Sequence, residues 1–343
     1  MSSEENNHNF TPAESKQIQN FFRGNKEIEQ SAIRSRNVKA MIGGMMTLIP
    51  EEVHQSGFLK DEKFIDVLEN FADLECTFND WLDFSLSGKD SLGQETQLAN
   101  ERDTRAKREL DDSLLVLDNP AEAFRIKGLI EDSRRETEII DNYIRTRGKD
   151  ISVEESMKYR ILAGTIFNCA AVSIILGREK TQQFTSHISD EDLNYENIYK
   201  KYEWIFEGRT NNKIERTVVI MERVASFMQI DDDWAGIDID TALNVPSVAI
   251  VALNEFNGDR VKAAEKLKAL RASIVEDTKK QGLGLLPTEG LSLATKLLYK
   301  ASEIVVNATM EHYEFLSKFE KFRDRMGTPT FLQRERAYIR GEL

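Results

Sequence analysis

Residues 162–177 read Leu-Ala-Gly-Thr-Ile-Phe-Asn-Cys-Ala-Ala-Val-Ser-Ile-Ile-Leu-Gly and form the most apolar run of the chain. A helix that spans a membrane needs about 20 consecutive apolar residues. This run has only 16 residues and carries Asn168 in its middle. It therefore predicts the buried core helix of a helical protein, without stable insertion into a membrane.

Helical periodicity continues on both sides of this run. Apolar residues recur at intervals of three and four, as they do on one face of an α-helix, in residues 64–84, 153–176, 214–234 and 291–322. Clean alternation typical of strands is missing, and Asn257-Gly258 indicates a turn that ends a helix. The pattern predicts an all-α fold, a single bundle of about ten helices of mixed length.

No repeat or shift of composition divides the 343 residues into two units. We expect a disordered tail over residues 1–15 and a single α-helical domain over residues 16–343. The charged residues 85–118 predict a long loop, or a loop followed by a solvated helix. Two cysteines cannot form a disulfide framework, and the polar start lacks the apolar segment of a signal peptide. We therefore expect a cytoplasmic location.

The charge balance excludes one class of partner. The chain has 46 Lys and Arg against 59 Asp and Glu, a net charge of −13. Binding to nucleic acid requires a basic surface that neutralises phosphates, and anionic lipid attracts basic segments. We expect neither partner. The placement of the acidic residues is more informative than their number.

Two acidic clusters lie on apolar helical stretches. In the first, Asn79, Asp80 and Asp83 lie three or four residues apart and converge on one face, with Glu75 one turn earlier. Converging carboxylates destabilise each other unless a positive charge lies between them. Their oxygen atoms suit a hard cation such as Mg²⁺.

The second cluster occupies residues 229–240, at the end of the helical stretch 214–234. It contains five aspartates, namely Asp231, Asp232, Asp233, Asp238 and Asp240. Carboxylates are disfavoured at the carboxyl end of a helix, so their position there indicates a function. The alternative is that both clusters are solvated faces of a helical interaction protein. Because neither cluster contains His or Cys ligands, the sequence argues against zinc.

The two clusters resemble the metal-binding motifs of class I isoprenoid synthases, the trans-prenyl diphosphate synthases and terpene cyclases. Residues 79–83, Asn-Asp-Trp-Leu-Asp, are similar to the Asp-Asp-x-x-Asp motif, and Glu69 resembles the glutamate that often precedes it. Residues 229–233, Gln-Ile-Asp-Asp-Asp, are similar to the second motif of that family. Residues 159–171 resemble its central kinked helix, and 244–247 the segment after the second motif. The resemblance covers roughly residues 30–320.

The resemblance implies a helical bundle around a central apolar cavity, with the two acidic helices at its mouth. It implies about three Mg²⁺ ions, held by Asn79, Asp80, Asp83, Asp232, Asp233 and Asp240. The substrate would be an allylic prenyl diphosphate, and a homodimer is common in the family. The implied catalytic residues are Asp80, Asp83, Asp232, Asp233 and Arg160. A diphosphate also needs cationic partners, for which the candidates are Arg36, Lys39, Arg160, Arg178 and Arg223.

The sequence departs from the family pattern at several positions. Asn79 replaces the first aspartate of the first motif. Gly236 stands where the third aspartate of the second motif is expected, and Asp240 is the candidate replacement. The Arg-Arg pair that follows the first motif in chain-elongating synthases and the Gly-Lys that follows the second motif are both missing. The departures favour a terpene synthase that cyclises one substrate. The alternatives are a trans-prenyl diphosphate synthase using a five-carbon co-substrate and a catalytically dead homologue that serves as a partner subunit.

Overall fold

The computed structural model describes residues 52, 55–56, 62–86, 93–147, 150–207, 212–235, 237, 240–241 and 245–285. Within these ranges the chain is mostly helical and contains no strand, which confirms the all-α prediction. The expected tail over 1–15 and the helical pattern of 291–322 lie outside the described residues. Three points therefore stay predictions. They are the assignment of one domain to residues 16–343, the full number of helices and the central cavity.

Ten helices have both of their ends in the described part of the chain. They are α1 Glu62–Ser85, α2 Gly93–Leu115, α3 Pro120–Arg147, α4 Val153–Leu176, α5 Arg178–Thr181, α6 Tyr195–Tyr202, α7 Trp204–Glu207, α8 Lys213–Ala235, α9 Val248–Glu255 and α10 Arg260–Leu285. The periodic stretches 64–84, 153–176 and 214–234 of the sequence correspond to α1, α4 and α8. Their apolar stripes therefore identified helices that build the core.

Helix α4 is the centre of the described fold. It contacts α1, α3, α5, α6, α8 and α9, and most of its side chains are buried. Ser152 caps its first turn in a reciprocal capping box with Glu155, and Gly177 ends it with φ 76°. Among the described helices only α4 is long and apolar enough to cross a membrane, and most of it is buried inside the protein. The prediction of a core helix is confirmed.

Helices α1 and α2 pack side by side. Residues 93–115 form a helix, which confirms the helix of the second reading of the charged segment; residues 87–92 lie outside the described residues. This helix is not solvated on all sides, because Ala99, Ala106, Leu110 and Leu114 are buried. The narrow apolar stripe of α2 is enough to dock it against its neighbours.

The turn between α9 and α10 has the predicted form. It contains Asn257, at φ 53°, and Gly258, at φ 83°. The Gly258 amide donates to the Leu253 carbonyl at 2.8 Å, which closes the end of α9. Asp259 then accepts from the amides of Val261 and Lys262 and caps α10.

Helices α4 and α8 approach closely at Gly164. A Cβ atom added there would lie 2.9 Å from the Glu222 Cδ atom on α8. Gly164→Ala is therefore expected to destabilise the protein by about 1–3 kcal/mol, because the buried Glu222 carboxylate would have to leave the hydrogen bonds that it accepts from Asn168 and Ser226. The measurement is the free energy of unfolding in urea.

Gly128→Ala on α3 is the matched control. No atom lies within 4 Å of a Cβ added at Gly128, so the higher helix propensity of alanine should stabilise this variant by about 0.5–1 kcal/mol. Equal effects of the two substitutions would contradict the close contact of the Glu222 side chain with Gly164.

Candidate functional site

The first acidic motif lies in the last two turns of α1. Phe71, Phe78 and Leu82 bury the apolar face of this helix, and Asn79 on another face is exposed. Asp83 is half-buried. For Asp80 the structure describes the position within α1 and not the side chain. The burial of the apolar stripe thus determines which way the motif residues of α1 face.

Glu75 lies beneath the first motif in a buried ionic cluster between α1, α2 and α3. Burial raises the pKa of Glu75 to about 7. The nearby positive charge of Arg134 lowers this pKa, and the nearby negative charge of Asp103 raises it. The Arg134 Nη2 atom lies 2.7 Å from Asp103 Oδ2, and the guanidinium stacks over the Phe78 ring at 4.2 Å. This cluster fixes the helix that carries the first motif against its two neighbours.

Arg145 joins the end of α1 to α3. Its Nη2 atom donates to Asp83 Oδ1 at 3.0 Å, and its Nε atom donates to Asp141 Oδ2 at 2.6 Å. The Arg145 side chain is only 8% exposed, so its guanidinium is largely shielded from water. Arg145 therefore holds Asp83 at a defined place next to α3.

Asp233 is a buried residue of the second motif, with 4% of its surface exposed. Its Oδ2 atom accepts from the Val248 amide at 2.7 Å, and its Oδ1 atom accepts from the Gln229 side chain. The Val248 amide belongs to the first turn of α9 and has no acceptor within that helix. Asp233 therefore also fixes the start of α9. For Asp232 the structure describes only its position within α8.

Arg160 on α4 interacts electrostatically with residues of both motifs. Burial lowers the pKa of the Arg160 guanidinium, but four nearby carboxylates raise it above its ordinary value. These carboxylates are Asp233, Asp141, Asp83 and Asp240. They come from the ends of α1, α3 and α8 and from the segment after α8. Residues of both sequence motifs, 79–83 and 229–240, thus act electrostatically on one arginine.

Asp240 belongs to the same group of charges. Burial and then the charge of Asp233 raise the pKa of Asp240 to about 8, while a hydrogen bond to Ser247 and the charge of Arg160 lower it. The charge of Asp83 raises it as well. The candidate replacement for the missing third aspartate therefore lies close enough to both motifs to interact with them.

The donor chemistry of this group suits a hard divalent cation. Arg145 forms ion pairs with Asp83 and Asp141, and the charges of four carboxylates act on Arg160. Oxygen ligands with excess negative charge are those that Mg²⁺ prefers. Among the described side chains, however, no three His, Cys, Asp or Glu residues lie close enough together to hold a metal ion. The side chains of Asp80 and Asp232 are outside that search.

Of the five candidate diphosphate ligands, Arg160 is the one that the described structure places among the acidic residues. Arg223 donates to the Ile205 carbonyl at 3.4 Å, and the charges that act on it are those of Glu222 and Asp277. Arg178 begins α5, and its side chain is not described. Arg36 and Lys39 lie outside the described residues.

Asp141 and Arg145 belong to neither of the two sequence motifs. Their signal is the spacing of four residues near the end of α3, which brings the two side chains together. Such pairs are common on solvated helices, so the spacing alone does not indicate a site. Only the contact of Arg145 with Asp83 distinguishes this pair.

Comparison with known proteins identifies no relative. No protein-family model, no curated protein and no solved structure matches the chain.

Proposed function

We propose that this protein is a Mg²⁺-dependent class I terpene synthase that ionises an allylic prenyl diphosphate and cyclises the resulting carbocation. The observation that carries the proposal is that the charges of Asp83, Asp233 and Asp240 all act on the buried guanidinium of Arg160. Residues from two motifs that lie far apart in sequence act on one guanidinium. Solvated helix ends would have no reason to converge in this way.

The proposal assigns roles to the residues of this site. Asp83, Asp233 and Asp240 would hold the metal ions, together with Asn79, Asp80 and Asp232 of the two motifs. Bound Mg²⁺ would supply Lewis acidity that stabilises the departing diphosphate. An acidic protein can then bind an anionic substrate, because the ions locally invert the sign of the field.

Arg160 would orient the diphosphate. Its Nε atom is buried and has no hydrogen-bond partner among the described residues, so it can donate to a phosphate oxygen without losing another bond. A guanidinium offers a planar set of donors that matches phosphate geometry. In the absence of substrate, the carboxylates around Arg160 would keep it charged and in place.

Aromatic packing between α1 and α4, the helices that carry Asp83 and Arg160, supports a reaction that excludes water. The rings of Phe71 on α1 and Phe167 on α4 stack with their centroids 5.2 Å apart, and Phe71 and Phe78 are buried. A carbocation requires surroundings without water. The same rings also pack the core, so their part in shaping a cavity belongs to the proposal.

A product assay tests the proposed reaction. The protein is incubated with ten-, fifteen- and twenty-carbon allylic diphosphates and Mg²⁺, with and without the five-carbon co-substrate. We expect one of the allylic substrates to give a cyclic product and free diphosphate without the co-substrate. Product formed only with the co-substrate would instead identify a chain-elongating synthase, and no turnover of any substrate would contradict both reactions.

The ion pairs of Arg145 favour a second candidate, a homologue without catalytic activity that serves as a partner subunit. Because Arg145 already pairs with Asp83 and Asp141, part of the acidic cluster is compensated without metal. Calorimetry with Mg²⁺ and inorganic diphosphate distinguishes the candidates. A ligand that binds the native state raises its melting temperature, so a lack of both heat and stabilisation would support the inactive subunit.

A further inference from the structure

The last turn of α3 places a positive charge at the end of α1. Arg145 Nη2 donates to Asp83 Oδ1 at 3.0 Å, and Arg145 Nε donates to Asp141 Oδ2 at 2.6 Å. One guanidinium therefore bridges a carboxylate of α1 and a carboxylate of its own helix. The Asp83 and Asp141 side chains are 27% and 13% exposed, so salt screens these pairs less than it screens pairs on an open surface.

Arg145 has the same electrostatic effect on the two carboxylates as a bound cation would have. Neighbouring carboxylates disfavour each other's ionised form unless a positive charge lies between them. A divalent metal ion can provide that charge through carboxylate oxygens. Arginine provides it permanently, because its side chain stays protonated in proteins. The charge of Arg145 is therefore still present when an ion binds to Asp83.

Arg145 and an ion bound to Asp83 would repel each other. Mg²⁺ binds carboxylate oxygens at about 2.1 Å. Because Asp83 Oδ1 lies 3.0 Å from Arg145 Nη2, an ion on either oxygen of this carboxylate would lie at most about 7 Å from that nitrogen. The Debye length is about 10 Å at 0.1 M salt, so salt does not remove this repulsion.

The backbone of α1 near Asp83 is held by apolar packing. Phe78 and Leu82, in the same part of α1, are buried, and the Phe78 ring stacks against the Arg134 guanidinium at 4.2 Å. Loss of the Arg145 charge would therefore leave the position of Asp83 on the helix unchanged. We expect its main effect to be the loss of the repulsion.

We propose that Arg145 is a built-in counter-cation that weakens the binding of divalent metal ions at Asp83. It sets the metal concentration at which this part of the acidic site is filled. The inference rests on the metal site of the proposed function and is independent of the reaction that follows.

Binding of Mn²⁺ alone, followed by electron paramagnetic resonance, tests this role. Mn²⁺ prefers the same oxygen ligands as Mg²⁺, and no anionic substrate is present to bind Arg145. Arg145→Gln removes the charge and retains a side-chain donor for one carboxylate. At 0.1 M salt it should bind Mn²⁺ about tenfold more tightly than the wild type.

Arg147→Gln is the matched control, because it removes the same charge from the same turn of α3. Arg147 pairs with Glu155 on α4 at 3.7 Å, so its loss should change Mn²⁺ affinity by less than about threefold. Asp83→Asn added to Arg145→Gln identifies where the ion binds. The double variant should lose the gain in affinity.

Mn²⁺ binding in Arg145→Gln that is no tighter than in the wild type would overturn the inference and leave the proposed function standing. A gain that persists in the double variant would do the same. No Mn²⁺ binding in either protein would overturn the proposed metal site and the inference together. If Arg145→Gln does not fold, Asp141→Asn decides. It leaves Arg145 with one carboxylate fewer, so Mn²⁺ affinity should fall by about threefold or more, and an unchanged affinity would overturn the inference.

Discussion

Asp233→Asn is expected to lower turnover of an allylic diphosphate by about a hundredfold or more while leaving the protein folded. Asparagine removes the negative charge that the proposed metal site requires. It retains a side-chain oxygen that can accept the Val248 amide, which Asp233 now accepts at 2.7 Å. The measurements are steady-state turnover and the urea midpoint of the same preparations.

Asp233→Ala separates the two roles of this residue. It should lose activity to the same extent and, in addition, be less stable by about 1–3 kcal/mol, because the buried Val248 amide loses its acceptor. The resemblance also predicts that Asp80→Ala loses turnover, whereas Asp66→Ala on the exposed part of α1 should retain it. Near-full activity of Asp80→Ala or Asp233→Asn would contradict the metal-site assignment.

Lys201→Met is expected to cause the largest loss of stability, about 3–5 kcal/mol. The Lys201 Nζ atom lies 2.7 Å from Glu136 Oε1, and the two side chains are 9% and 2% exposed. Removal of the ammonium would leave the Glu136 carboxylate buried without a positive partner. Its remaining hydrogen-bond donor would be the neutral Tyr202 hydroxyl, which lies 2.8 Å from Glu136 Oε2. Since domains are typically stable by only about 5–15 kcal/mol, urea unfolding should detect this loss readily.

Two further variants control this prediction. Lys200→Met changes an exposed lysine on the same helix and should have little effect. Lys201→Met combined with Glu136→Gln should regain part of the stability, because no charge then remains buried. A loss in Lys201→Met no larger than in Lys200→Met would show that the ion pair does not stabilise the fold.

The sequence predicted the helices best where their apolar pattern was strongest. Helix α4 is apolar on nearly all sides, which identifies a core helix without knowledge of its neighbours. The sequence of α2 was ambiguous between a loop and a helix because its composition is polar overall. Ala106, Leu110 and Leu114 nevertheless form a narrow apolar stripe on this helix. Small residues such as alanine contribute little to a hydrophobic pattern, so the packing partner α1 was needed to decide.

The candidate site was predictable only in part, for a physical reason. Asp83, Asp233 and Asp240 stand in motifs whose local spacing is visible in the sequence. Arg145 and Asp141 take their meaning from a contact between α1 and α3, which no local pattern records. Glu222 was missed for a related reason, since a single acid in an apolar stretch does not reveal that it will be buried.

The apolar surface of α4 has a consequence for synthesis of the protein. Helices α1 and α3 precede α4 in the chain and can cover it as soon as it is made, but α8 and α9 follow much later. Until α8 and α9 are synthesised, the nascent chain exposes one side of α4, which has the length and hydropathy of a membrane helix. We expect that interval to be the time at which ribosome-associated chaperones bind this protein most strongly.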